Sequence, residues 1–175
     1  MTLGDVIRLA FEWVYDLWPL RIVNAWEAGI RITFGRSVTL VGPGLRWFFP
    51  IIGELIVEDV VPDVNTTDLQ SVTTTDDVVV TFALAWRYRV ANLRALYLNL
   101  QDHETSLAAD IAASAARWAA SMTYADLDGN EEDDSLPDLV FRDVNERWES
   151  WGVELLDVSL FTFTRARCLR LLMGD

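Results

Sequence analysis

Residues 78–90 read VVVTFALAWRYRV, and this stretch decides which fold the chain can adopt. Apolar side chains occupy every second position from Val78 to Val90, while Thr81, Arg87 and Arg89 stand between them. Successive side chains of a strand point to opposite faces, so this alternation predicts one long strand with one buried face. A strand of this kind needs partners, and we therefore predict a sheet built around it.

The chain before this strand is divided into short extended runs. Gly35 closes one of them, and Gly42 to Gly44 make a turn after another. Strands are predicted at five places: 22–26 (IVNAW), 30–34 (IRITF), 38–41 (VTLV), 55–61 and 70–74. The first half of the chain therefore reads as an antiparallel β region.

Helices are predicted after the long strand. Asn92 and Asp102 are candidate N-caps for helices over 93–99 and 103–122. Ser135 with Asp138 predicts a capping box for a third helix, which Gly152 ends. A last strand is predicted over 153–164.

Charge and composition exclude several classes of function. The chain has 175 residues and a net charge of −13, which argues against a nucleic-acid partner. Residues 1–50 carry five arginines against four acidic residues, so the remaining 125 residues hold all of the net acidity. His103 and Cys168 are the single histidine and the single cysteine. We therefore predict no zinc site, no disulfide, no cofactor and no enzymatic activity.

Residues 3–18, LGDVIRLAFEWVYDLW, are predicted to form an amphipathic helix that stops at Pro19. Its four charged residues fall within an arc of roughly 80°, and the rest of the circumference is mainly apolar. The helix either lies in a membrane interface or packs on its own domain. In the first case its membrane contacts are Leu3, Ile7, Phe11, Trp13, Val14, Leu17 and Trp18. No spanning segment and no signal peptide are expected.

A second apolar segment, GPGLRWFFPIIG, covers residues 42–53. Glycines and prolines bound it, which predicts a turn and a short extended run rather than a helix. Read alone, it is equally a buried hairpin. Beside the amphipathic helix it predicts a second membrane contact, with Arg46 facing headgroups and at least one aromatic ring turned inward. Its contact residues are Trp47, Phe48, Phe49, Ile51 and Ile52.

Five short motifs in order resemble the SPFH family, also called band 7 or the stomatin, prohibitin and flotillin superfamily. Two of them are E-A-G-I followed by F-G-R, and P-G-L followed by a proline. The others are Q-x-V-T-T-x-D, Y-R-V after the long strand, and W-G-V-E before the last strand. The residues that carry the resemblance are Gly29, Phe34, Gly35, Pro43, Gly44, Leu45, Pro50, Gln70, Thr73, Asp76, Tyr88, Val90 and Gly152.

The resemblance implies an α+β domain, in which a partly rolled antiparallel sheet is followed by helices packed beside a second, smaller sheet. It also implies a scaffold without enzymatic activity, which attaches to one leaflet at the cytoplasmic face of a membrane. Such proteins assemble side by side into rings or cages and regulate membrane proteases or channels. The alternative is a soluble oligomeric module that binds a protein partner.

Four regions follow from this organisation: an amphipathic helix (1–20), a β-rich first subdomain (21–90), an α/β second subdomain (91–164) and a short basic tail (165–175). Only about ten residues follow Thr164, so the long C-terminal coiled coil of many SPFH proteins is not expected. Its acidic segment 126–138 resembles an insertion. A minimal ring is therefore expected rather than a tall closed cage.

Overall fold

The computed structural model describes residues 20–128 and 135–165, which form nine strands and four helices. In chain order these are β1 (Leu20–Val23), β2 (Glu27–Thr33), β3 (Ser37–Val41), β4 (Gly44–Trp47), β5 (Gly53–Asp59), β6 (Asp63–Thr66), β7 (Gln70–Thr73), β8 (Val79–Val90), α1 (Leu93–Asn99), α2 (His103–Ser121), α3 (Tyr124–Asp128), α4 (Leu136–Ser150) and β9 (Val153–Arg165). Antiparallel strands followed by helices confirm the predicted α+β class.

The predicted long strand is confirmed as β8, which lies at the centre of the larger sheet. Strand β9 pairs antiparallel along one edge of β8, while β6 and β7 share the other edge. The register of β9 shifts twice, so Leu156 and Phe161 have no partner on β8. Phe82, Leu84 and Trp86 are buried on the inner face of the sheet.

Helices α2 and α4 cover the inner face of the larger sheet. Their apolar residues, including Ile111 and Val144, belong to one cluster with the buried side chains of β8. Polar contacts join the two helices above this cluster, because the Asp110 carboxylate accepts from the Arg147 guanidinium at 2.8 Å and from the Trp148 indole N–H at 2.8 Å. Charged and aromatic donors therefore share one acceptor at the helix interface.

A smaller sheet, in the order β3-β2-β5, carries the rest of the first half of the chain. One face places Ile30 against the main core together with Leu93 of α1. The ribbon formed by β1 and β4 lies against the other face, where the Arg21 guanidinium donates to the Leu55 carbonyl at 3.2 Å. Val23 and Leu55 are buried beneath the ribbon.

The predicted helix boundaries at Asn92, Asp102 and Gly152 are confirmed. The side chain of Asn92 accepts from Ala95 N, and that of Asp102 accepts from Thr105 N, each at 3.1 Å. Gly152 has φ +93°, and its carbonyl accepts two backbone N–H groups at 2.9 Å from the residues that precede α1. Gly152 therefore joins the end of α4 to the end of β8.

Two local predictions are wrong. No strand runs through 22–26, because the Glu27 carboxylate accepts from both the backbone N–H and the side-chain amide of Asn24, which closes a turn after β1. Ser135 precedes α4 as predicted, but its hydroxyl contacts the Asp138 carboxylate instead of capping a backbone N–H. In both places a short polar residue forms a side-chain hydrogen bond that the sequence pattern did not indicate.

Several predictions fall outside the described residues. They include the amphipathic helix with its contacts Leu3, Ile7, Phe11, Trp13, Val14, Leu17 and Trp18, together with Cys168 in the tail. The acidic segment 126–138 is described at its two ends, where α3 forms the first. The four predicted regions remain predictions. Strand β9 of the predicted second subdomain (91–164) pairs with β8 of the predicted first subdomain (21–90).

Candidate functional site

The ribbon of β1 and β4 has an apolar outer face. Leu20 stands opposite Trp47, and Ile22 stands opposite Leu45. Residues directly opposite in an antiparallel pair share one face, so these four side chains lie together. Ile22, Leu45 and Trp47 are largely exposed, whereas Val23 of the other face is buried. The ribbon therefore covers the smaller sheet with one face and presents apolar side chains with the other.

Two loops extend this apolar surface at the end of the smaller sheet. The β2–β3 turn and the β4–β5 loop are tied by a hydrogen bond of 2.7 Å from Phe34 N to Ile52 O. Phe34 is 75% exposed and Ile51 is 80% exposed. The rings of Trp47 and Phe49 lie beside each other, with centroids 5.8 Å apart. We name this surface the apolar tip, which consists of Phe34, Trp47, Phe49, Ile51 and Ile52.

The apolar tip exposes a large apolar area for a protein surface. Three exposed aromatic rings contribute about 400 Å² of apolar area, before the aliphatic side chains are added. The largest apolar patch of an ordinary monomer has about this size in total, and larger patches mark interaction sites. Phe48 is half-buried behind the other aromatic rings, as predicted for at least one of them.

Phe34 is held in an unfavourable backbone conformation. Its φ is +53°, and Gly35 follows at +62°, so the β2–β3 hairpin turns through two left-handed positions. Glycine or asparagine is the ordinary residue at such positions, and a bulky aromatic there is an outlier. Strain of this kind accumulates at functional sites. The sequence predicts Phe34 only as a motif residue, because no local pattern indicates its place in the tip.

Two adjoining depressions flank Trp47. The first has a volume of about 400 Å³ and is lined by the aromatic loop together with Arg31 and Thr33. The second has about 490 Å³ and is lined by Arg31, Arg46 and the turn at Gly42. The Arg46 guanidinium donates to the carbonyls of Gly42 and Pro43, each at 2.8 Å. Arg46 therefore folds back on its own turn, and its contact with lipid headgroups stays a prediction.

The N-terminal segment joins the described fold at this surface. Strand β1 begins at Leu20, which pairs with Trp47. Because the chain is continuous, residue 19 is attached beside the apolar tip. The described fold therefore begins beside the apolar tip.

The opposite end of the smaller sheet is acidic. Glu27 pairs with Asp59 there, while Thr33 pairs with Gly53 at the tip. A cleft of about 380 Å³ collects five acidic residues around Tyr88 and His103: Glu27, Glu58, Asp59, Asp63 and Glu104. Burial, followed by the nearby carboxylates, raises the pKa of the Tyr88 hydroxyl well above its usual range. Within the described residues, no group of three or more such side chains is arranged to hold a metal ion.

The model of the SPFH domain / Band 7 family matches residues 21–164. The chain belongs to this family. An uncharacterized protein of Archaeoglobus fulgidus is 28% identical over 148 residues, which is 84% of this chain and 58% of that protein. The chain thus spans little more than half of this relative. Membership in the SPFH family supports a scaffold-type role, and SPFH proteins are typically membrane-associated. No helix of the described residues combines the length and hydropathy needed to cross a bilayer.

The SPFH motif residues divide into two groups in the structure. One group shapes the tip: Phe34, Gly35, Pro43, Gly44, Leu45 and Pro50 all lie in the ribbon or in its neighbouring turns. Gly29 lies on β2 beside the buried Leu55, since a Cβ there would come within 3.3 Å of the Leu55 side chain. The resemblance therefore includes the surface that presents the apolar side chains.

The second group holds the larger sheet to its helices. Gln70 and Thr73 are on β7, and Tyr88 and Val90 are on β8. The Asp76 carboxylate accepts from the Thr74 hydroxyl and from Tyr124 N, which links the β7–β8 turn to α3. The hydrogen bond from Thr74, together with that from Tyr124 N, lowers the pKa of Asp76. Together with Gly152, these motif residues have structural contacts in the fold and no chemical role is assigned to them.

Proposed function

We propose that this SPFH protein is a membrane-associated scaffold whose apolar tip enters one leaflet. In this proposal the N-terminal segment 1–19 lies in the same interface, and the acidic body points away from the bilayer. The protein assembles side by side with further copies into a ring at the cytoplasmic face. Such a ring organises a membrane microdomain and regulates membrane proteins such as proteases or channels.

The observation that carries this proposal is the convergence of three apolar segments at one end of the fold. The β2–β3 turn, the β4–β5 loop and the attachment point of residues 1–19 all lie there. A soluble monomer gains nothing from exposing this much aromatic area, and a strained Phe34 adds a further cost. Insertion of the tip into hydrocarbon removes that area from water.

The distribution of charge supports the same orientation. Residues 20–53 contain four arginines and one acidic residue, Glu27, a net charge of +3. The acidic cleft lies about 20 Å from the tip, at the other end of a seven-residue strand. Cations near the bilayer and anions far from it match the negative potential of a cytoplasmic leaflet.

Vesicle flotation tests the membrane role directly. Trp47, Phe49 and Ile51 are changed together to serine, and Phe161→Ser is the matched control because Phe161 is 68% exposed on β9, outside the tip. We expect the wild-type protein and the control to float with vesicles and the triple variant to remain in solution. Flotation of the triple variant at the wild-type level would assign the tip to a protein partner, leaving residues 1–19 as the anchor.

The oligomeric role needs its own measurement. Negative-stain microscopy and sedimentation of detergent-extracted protein separate rings, filaments and monomers. Assembly into closed rings is the expected result. A monomer that also fails to bind vesicles would contradict the scaffold proposal as a whole and favour the soluble interaction module.

A further inference from the structure

The two depressions beside Trp47 differ in character but share a wall. The first is lined mainly by the aromatic loop and Ile52, and the second by two arginines and a glycine turn. Arg31 and Trp47 line both. An apolar depression next to one that contains two arginines fits an amphiphile with an anionic headgroup.

Arg31 is the cation best placed to bind such a headgroup. It is exposed on β2, and no ion pair links it to a carboxylate of the described residues. Arg21 and Arg46 differ, because backbone carbonyls already accept hydrogen bonds from their guanidinium groups. Glu54 pairs with Ile32 and so points to the opposite face of the sheet from Arg31.

On the basis of the membrane role proposed above, we propose that the depressions beside Trp47 bind one anionic phospholipid. The guanidinium of Arg31 pairs with the phosphate, with Arg46 adding positive charge beside it. One acyl chain lies against Phe48, Phe49 and Ile52. A planar guanidinium matches two phosphate oxygens at once, which a lysine cannot do. The apolar tip therefore selects a lipid as well as entering the bilayer.

A soluble short-chain lipid separates this site from bulk membrane binding. Dihexanoyl-phosphatidylglycerol, below its micelle concentration, is titrated into the full chain by calorimetry. Dihexanoyl-phosphatidylcholine and inorganic phosphate are the comparison ligands. We expect saturable binding of the first with one site per chain, and at least about tenfold weaker binding of the other two, because phosphatidylcholine has no net negative charge and inorganic phosphate has no acyl chain.

Substitutions at two tip arginines test the assigned contact. Arg31→Gln is expected to weaken binding of the anionic lipid about thirtyfold, because a charge-assisted pair is lost. Arg31→Lys keeps the charge without the fork and is expected to weaken it about fivefold. Arg36→Gln removes an equal charge from the neighbouring turn, outside both depressions, and is expected to change binding less than twofold. Circular dichroism confirms that each variant is folded.

The possible failures are distinguishable. Equal losses for Arg31→Gln and Arg36→Gln would overturn the site and leave only a general attraction between charges. Phosphate binding as strong as lipid binding would overturn the lipid assignment in favour of an anion site, and equal binding of both lipids would overturn the preference for an anionic headgroup. None of these results depends on vesicle flotation, which tests the membrane role independently.

Discussion

Replacement of Phe34 by asparagine should make the protein more stable and its membrane binding weaker. Asparagine tolerates the left-handed region far better than an aromatic residue does. Phe34 has φ +53° and is 75% exposed, so little packing is lost. Relief of backbone strain should raise the free energy of unfolding by about 1 kcal/mol, which corresponds to about 3 °C in Tm for a chain of this size.

The same substitution removes a tip side chain. The exposed part of Phe34 has about 150 Å² of apolar surface, so its insertion contributes at most about 4 kcal/mol to binding. Partial insertion reduces this to about 2 kcal/mol, and the vesicle partition coefficient should fall between about 30-fold and several hundred-fold. Thermal denaturation and vesicle titration of one preparation measure both effects. A drop in Tm would show that Phe34 packs on the fold, and unchanged partition would show that it does not touch the bilayer.

Three further predictions concern the supports of the fold. Gly152→Ala places a Cβ 2.2 Å from the Asn92 carbonyl oxygen at φ +93°, so urea denaturation should show that the free energy of unfolding falls by about 3 kcal/mol or more. Gly42→Ala is the control, because its Cβ meets only the flexible end of Arg46 at 3.7 Å and should leave the free energy of unfolding nearly unchanged. Asp76→Asn should lower Tm at neutral pH. Because the folded-state pKa of Asp76 is lowered, its contribution is present above the ordinary carboxyl value of 3.8 and is lost as pH falls through the folded value, so the difference from wild type should disappear in acid; a gap that persists there would deny the linkage. Trp148→Phe deletes the indole donor to Asp110 in a buried site and should cost about 1 to 3 kcal/mol, with calorimetry as the measurement and Trp151→Phe, a half-buried indole on the next turn, as the control.

Local signals were sufficient for β7, β8, β9 and the three longer helices, whereas β6 and the short helix α3 were not predicted. The alternation in β8 was predictable because burial on one face imposes a period of two. The caps at Asn92 and Asp102 were predictable because a helix start leaves backbone N–H groups that such side chains satisfy. Gly152 was predictable as a helix end, but its contact with Asn92 was not, since sixty residues separate the two positions.

The composition of the tip was only partly predictable. The aromatic segment read alone was equally a buried hairpin, and only beside the amphipathic helix did it indicate an exposed surface; Trp47, Phe49, Ile51 and Ile52 are exposed in the structure. Phe34 joins them through a backbone hydrogen bond between two loops, and the sequence pattern of neither loop indicates this bond. The hydrogen bonds of Arg46 could not be predicted for a related reason, because turn geometry determines that two carbonyls of its own turn are in reach.

Strand β2 explains how an acidic protein can approach an anionic surface. Its two ends lie about 20 Å apart, with the apolar tip and Arg31 toward one end and Glu27 in the acidic cleft at the other. At physiological ionic strength charges are screened beyond about 8 Å, so headgroups next to the tip sense the nearby arginines and little of the cleft. Hydrophobic insertion and the arginines therefore act together at one end, while the net charge of −13 is carried mainly by the remainder of the chain. In the proposed membrane role the molecule would bind in one orientation, and a common orientation is what side-by-side assembly of copies on a bilayer requires.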